Sequence, residues 1–164
     1  PVLYACNVSE HESAKGNTLS AEVAEKAEEE GAACVIVSAA IEAEIATLSD
    51  DEAAEFISDM GLKEPGLNRL IRAGYDLLDL LTFFTAGPKE ARAWTVRNPA
   101  TAPMAAGVIH TDFQRGFIRA ETVSYDDYIT CQGEAGAKDA GKLRIEGADY
   151  QVKDGDIFHF RFNV

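Results

Sequence analysis

The sequence predicts an α/β unit of parallel strands and helices over residues 1–80, followed by an α+β unit over residues 81–164. Three observations point there. The chain opens with an apolar run, a helix-forming segment and a second apolar run, the pattern of two parallel strands joined by a helical crossover. The second half carries short alternating runs separated by turn residues, as antiparallel strands do. Charge divides in the same place: residues 1–80 hold 17 acidic and 5 basic side chains, whereas residues 81–164 hold 11 and 10. The turn signal Thr85-Ala86-Gly87-Pro88 lies close to this shift and is the candidate boundary.

In chain order, Val2–Cys6 is the first strand and runs into the polar residues Asn7-Val8-Ser9-Glu10. Leu19 to Glu30 has helix-forming composition, with Gly31 placed to end it. Ala33–Val37 is a fully apolar second strand ending in Ser38-Ala39-Ala40, behind which Ile41, Ile45 and Leu48 recur at helical spacing. Ser49-Asp50-Asp51-Glu52 is a capping box opening a helix with the apolar face Ala53, Phe56, Ile57 and Met60, stopped at Gly61. A further helix starts near Pro65-Gly66, and its stripe of Leu67, Leu70, Ile71, Leu77, Leu78 and Leu81 requires a packing partner. In the second half Glu90–Val96 alternates as a strand, Pro103 starts a short helix, and Ile118–Val123 is strand-like. Leu143–Val152 alternates around Gly147 as a hairpin would, and Asp154-Gly155 is a tight turn before the strand Ile157–Phe162.

At 164 residues and 46% hydrophobic composition the chain can bury a core in one domain or two. Its apolar runs are shorter than a membrane span and no charged-then-apolar leader opens it, so a cytoplasmic protein without membrane contact is expected. Cys6, Cys34 and Cys131 are odd in number and lack CxxC spacing, which predicts reduced thiols and neither disulfide nor zinc. The start at Pro1, without Met and directly before a strand, predicts a fragment.

Strands that end in polar residues at one sheet edge are how an open parallel sheet presents groups to a ligand. An Asn and a carboxylate three residues apart, as in Asn7 and Glu10, can read a purine edge, although Asn- and Ser-rich strand ends also occur without one. The phosphate-loop pattern G-x-x-x-x-G-K-[ST] is absent. Gly61 to Asn68 has its glycine spacing but lacks the Lys and hydroxyl, and its Glu64 and Pro65 oppose phosphate. No residue pattern here holds a triphosphate or its magnesium, so hydrolysis by this chain alone is not expected. His11, His110 and His159 lie in separate segments without metal-ligand spacing. Arg92, Arg97, Arg115, Arg119, Arg144 and Arg161 are interleaved with Trp94, Phe113, Phe117 and Tyr150. Such a mixture can contact RNA through phosphates and stacked bases, or be an ordinary β surface with arginines in water.

Together, Asn7-Val8-Ser9-Glu10, Ser38 to Glu44, Gly61 to Leu67 and Thr82 to Gly87 resemble the YchF (EngD) family. So do Arg92 to Val96, Ala102 to Phe113, Arg115 to Glu121 and the closing Asp154 to Val164. The resemblance implies the last part of a P-loop G domain in residues 1–80 and a ubiquitin-like (β-grasp) TGS domain in residues 81–164. It implies an intact parent that binds and hydrolyses ATP, GTP less selectively, with Mg²⁺, and that associates with the ribosome or ribosomal RNA. Asn7 to Glu10 would be the base-specificity motif, NxxE where most relatives carry NKxD. Guanine offers N1–H and an exocyclic amine to the Asp carboxylate, whereas adenine presents an acceptor at N1, so a longer, displaced acid weakens guanine selection. Asn7 and the backbone of Val8 would meet the base, Ser38 and Ala39 would complete its pocket, and Glu10 would replace the guanine-selecting acid. Arg92, Arg97, Arg115 and Arg119 would contact the ribosome or RNA. Without its phosphate loop the chain is expected to hold no nucleotide tightly, and an RNA-binding module without enzymatic activity is the alternative. The strands Pro1–Cys6 and Ala33–Val37, short of sheet neighbours, would be open to self-association.

Overall fold

In the computed structural model, which describes residues 1–163, β1 (Leu3–Asn7) and β2 (Ala33–Val37) pair in parallel, Leu3 opposite Ala33 through Asn7 opposite Val37. The connection between them is α1 (Thr18–Glu30). Asn17 caps it by accepting from the Ser20 N–H at 2.9 Å. Gly31 ends it in the left-handed region, φ 65°, where a Cβ would be strained. α2 (Ala39–Ile45) starts at Ser38, and α3 (Asp50–Asp59) starts at the capping box. There the Ser49 hydroxyl and N–H both donate to Glu52, holding that carboxyl below its usual range.

Next comes α4 (Gly66–Leu77), tied down by the Gly66 N–H donating to Glu42 at 2.7 Å and by Arg69 donating to the Ile36 carbonyl at 3.0 Å. Tyr4 donates from its hydroxyl to Glu30 at the end of α1, while Gly66 lies against Val37. Tyr4 and Val37 point to opposite sides of the pleat, so α1 and α4 cover opposite faces of the pair. The helical stripe stops at Leu78 and does not reach Leu81. Asp79 takes a positive φ of 51°, breaks the helical path and sends Leu80 and Leu81 into a strand. Leu67, Ile71 and Leu78 are about half exposed.

The chain divides into two compact units after Leu78. The second unit holds a five-stranded sheet in the order β4-β3-β7-β5-β6. β3 (Leu80–Ala86) and β4 (Ala91–Arg97) form an antiparallel hairpin, so Thr85 and Ala86 end β3, and Gly87 and Pro88 belong to its turn and not to a boundary. α5 (Ala102–Ile109) and α6 (Thr111–Arg115) lead into β5 (Phe117–Ser124). The short helices α7 (Tyr125–Thr130) and α8 (Glu134–Asp139), which sequence reading missed, precede β6 (Arg144–Glu146). β7 (Asp156–Phe162) closes the sheet, parallel to β3 and antiparallel to β5. Val164, the last residue of the family-like terminus, lies outside the described residues.

The core of this unit is an aromatic layer under small residues. Phe83, Phe158 and Phe160 interlock, with Phe83 edge-on to Phe158 at 5.7 Å and to Phe160 at 6.3 Å. Ala102, Ala105 and Ala106 of α5, all fully buried, let the helix backbone come close to those rings.

Leu143–Val152 is not a hairpin. Arg144–Glu146 pairs with β5 instead, while Gln151 bridges Thr101 and the Val152 N–H donates to the Ala100 carbonyl. The backbone groups that would close a local hairpin are thus spent on more distant partners. This route delivers the Tyr150 hydroxyl to the buried Asp156 at 2.9 Å, which also accepts from the Lys153 N–H at 2.8 Å. Burial, and then the hydrogen bond to Asp156, push the Tyr150 phenol up to about 12. Its folded value lies above the ordinary value of about 10. The stability this group contributes is therefore complete below pH of about 10 and is lost as pH rises through about 12. Thermal melts across that window should show Tyr150→Phe losing less stability with rising pH than the wild type.

Candidate nucleotide-base site

The polar ends of β1 and β2 come together at one edge of the parallel pair, as the strand-end pattern predicts. Asn7 is the last residue of β1, opposite Val37, and the chain after Val37 turns at Ser38 into α2. Across this junction the Asn7 side-chain oxygen accepts from the Ala39 N–H at 2.9 Å. The two segments singled out in the sequence are thereby joined by one hydrogen bond between residues 32 apart in the chain. With Oδ1 engaged, the two Nδ2 hydrogens of Asn7 remain as donors, suited to the N7 acceptor that every purine carries. Such a contact would not distinguish adenine from guanine.

Val8 continues the ladder by donating its N–H to the Val37 carbonyl at 2.9 Å, and its side chain is buried. Ser38 is almost fully buried and its hydroxyl has no partner among the described residues. A buried hydroxyl without a partner costs about 1–3 kcal/mol, which a ligand atom or water at this junction would recover. Glu10 opens a single 3₁₀ turn, Glu10–Glu12, and its side chain is exposed. Glu12 was not anticipated. Its carboxylate accepts from both the Ser9 hydroxyl, at 2.6 Å, and the Ser9 N–H, and the hydroxyl bond holds it below its usual range. Glu12 fixes the turn that carries Glu10, and a capping signal Ser9-x-x-Glu12 was available in the sequence to find it. Beside the junction lies an open cleft of about 300 Å³ lined by Tyr4 to Val8 with Asn17 and Leu19.

In the second unit the arginines do not form one face. Arg92 and Arg97, five apart on β4, point to opposite sides of the sheet. Arg115 on α6 lies 3.8 Å from Asp112, and Arg119 lies 3.7 Å from Glu121. Arg92 stacks over Trp94 at 4.1 Å, and Trp94 donates its indole N–H to Thr85. Trp94, Phe113, Phe160 and Phe162 line an open trough of about 560 Å³, with Lys89 at its hairpin end. Glu121, Glu134 and His159 place potential metal-ligand atoms within 4.8 Å of one another. Arg161, however, grips Glu121 with two bonds of 3.1 and 3.0 Å and holds its carboxyl below the usual range, so cationic charge is already supplied there.

Residues 80–163 match the family model YchF-GTPase_C, described as a protein of unknown function (DUF933). The chain belongs to this family. Among YchF relatives, the protein named "Ribosome-binding ATPase YchF" from Pasteurella multocida is 61% identical over 164 residues, and its namesake in Bacillus subtilis is 53% identical over 166. Both matches cover 100% of this chain, which spans 45% of either relative's length. The structure of the Schizosaccharomyces pombe YchF GTPase superposes with a TM-score of 0.81 at 33% identity, covering 98% of this chain and 43% of that one. A GTP binding protein from Pyrococcus horikoshii OT3, 18% identical, shares the fold with a TM-score of 0.65 over 99% of this chain and 46% of its own. The match reaches past the family model into β1 and β2, and so includes Asn7, Ser38 and Ala39.

Proposed function

We propose that this chain is the base-recognising end and the C-terminal unit of a YchF-type P-loop NTPase. The intact protein hydrolyses ATP with Mg²⁺, takes GTP less selectively, and works on ribosomes in the cytoplasm. The Asn7 to Ala39 hydrogen bond carries this reading, because it unites the NxxE and Ser-Ala segments at one edge of the strand pair. Asn7 holds the base, Val8 faces it with backbone, Ser38 and Ala39 close the pocket, and Glu10 stands where a guanine-selecting acid would be. The names and high identities of the relatives support the same reading. The chain's own residues orient the base and supply no phosphate or magnesium ligands, so this segment alone is inactive and holds nucleotide weakly. Titration of ATP into this chain and into a protein of the relatives' full length tests this: tight ATP binding by the 164 residues alone would contradict it.

Residues from Asp79 onward are read as a ubiquitin-like TGS domain. Placement of the first and last strands side by side and parallel within the five-stranded sheet supports that β-grasp assignment. Its partner is ribosomal RNA. Arg92 on Trp94 beside the aromatic trough favours contact with unpaired bases, with Arg97, Arg115 and Arg119 as phosphate contacts. Ribosome co-sedimentation should weaken as salt rises, and Arg92→Ala should weaken it further at every salt concentration. Salt-independent association would count against an electrostatic contact. The reading as a non-enzymatic RNA-binding module rests on the separate core of this unit, and failure of the full-length protein to bind nucleotide would favour it. β1 and β2, a pair with open edges among the described residues, are the surface through which the isolated chain self-associates.

A further inference from the structure

Cys6 and Cys34 lie 28 residues apart in sequence, yet the fold puts their sulfurs 3.7 Å from one another. The register sets Tyr4 opposite Cys34 and Cys6 opposite Ile36, so the two thiols sit diagonally on one face of the strand pair. We propose that Cys6 and Cys34 form a dithiol site for a single soft, thiophilic centre, of the class of trivalent arsenic or a divalent ion such as cadmium or zinc.

The separation selects for an inserted atom over a direct bond. Two thiolates on a tetrahedral centre with metal–sulfur bonds of about 2.3 Å are about 3.8 Å apart, which is the distance already present. A disulfide needs about 2.0 Å between the sulfurs, and diagonal neighbours on a sheet face have Cα atoms about 7–8 Å apart, outside the reach of an unstrained disulfide. Cys6 borders the open cleft lined by Tyr4, Asn7 and Leu19, which gives a ligand its way in. Burial, and then the neighbouring Cys6 sulfur, push the Cys34 thiol up, so it carries its proton until a ligand displaces it.

The chemistry balances without an oxidant. With an organoarsenic(III) oxide, two As–S bonds form, the As–O bond breaks, and both thiol protons leave with that oxygen as water. With a divalent ion two metal–sulfur bonds form and two protons go to solvent. Because Cys6 directly precedes Asn7, either bridge pins β1 to β2 beside the Asn7 to Ala39 contact.

Phenylarsine oxide and cadmium are the two probes, each applied to the full chain. Intact mass should show one phenylarsenic group replacing two hydrogens. Alkylation of the native adduct should then modify Cys131 and leave Cys6 and Cys34 protected, a readout that needs no variant. The adduct should be lost in Cys6→Ser and in Cys34→Ser and kept in Cys131→Ser, with circular dichroism confirming that each variant is folded. Cadmium should give a thiolate charge-transfer absorbance lost in the same two variants and should compete with the arsenical. Arsenical binding without cadmium binding restricts the site to arsenic chemistry and still supports the dithiol. Absence of any adduct, an adduct surviving Cys6→Ser or Cys34→Ser, or protection of Cys131 overturns the proposal.

Discussion

Phe83→Ala is expected to destabilise the second unit by about 3–5 kcal/mol, the usual cost of removing a fully buried aromatic ring. Phe83 has no exposed surface, lies on β3 next to the strand that closes the sheet, and touches the rings of Phe158 and Phe160. The helix above it buries the methyl groups of Ala102, Ala105 and Ala106 there, with Ile109 at its last turn, and the alanines cannot extend to fill the space the ring leaves. A domain of this size is stable by only about 5–15 kcal/mol, so the loss is a large part of the total. Chemical denaturation monitored by the fluorescence of Trp94, the only tryptophan, follows this unit. A shift of the midpoint by less than about 1 kcal/mol equivalent would mean that the core relaxes around the cavity.

In a protein of the relatives' full length, Asn7→Ala is expected to weaken ATP and GTP binding alike, by roughly tenfold to a hundredfold. In the proposed site the variant removes the donor to the purine, and it also leaves the Ala39 N–H without its acceptor. Because N7 is common to both bases, the ATP-to-GTP preference should survive the change. Glu10→Asp acts on the other term: restoring the shorter acid of the guanine-selecting pattern should narrow the preference while leaving ATP affinity close to wild type. Equilibrium titrations with both nucleotides separate these outcomes, since Asn7 moves the affinities together and Glu10 moves their ratio.

The first strands and the helix between them were legible because every local signal agrees: apolar runs, the Asn17 cap and Gly31 as stop. Leu81 was misplaced because leucines at helical spacing continue across Asp79, and only its φ of 51° and the pairing with β4 turn the chain into β3. Gln151 and Val152 alternate correctly for a hairpin, yet their partners are Thr101 and Ala100, a pairing that no local pattern encodes. α7 and α8, six residues each, are too short for periodicity to register, and only Ser124 capping Asp127 marks the first of them. That Asn7, Ser38 and Ala39 meet at one edge was readable because strand ends in a parallel sheet converge by topology. The Cys6 to Cys34 contact was not, since it depends on strand register, which spacing along the chain does not reveal. The arginines were visible as a set but not as separate faces, because β4 alternates them to opposite sides.

The most direct test of the base site is an amide-resolved NMR titration of the full-length protein with ATP. Saturating ATP should shift the side-chain amide of Asn7 and the backbone amides of Ser38 and Ala39 together, with Val8 following, while the resonances of Phe83 and Trp94 stay in place. ATP binding that leaves Asn7, Ser38 and Ala39 unmoved would show that the purine is held elsewhere.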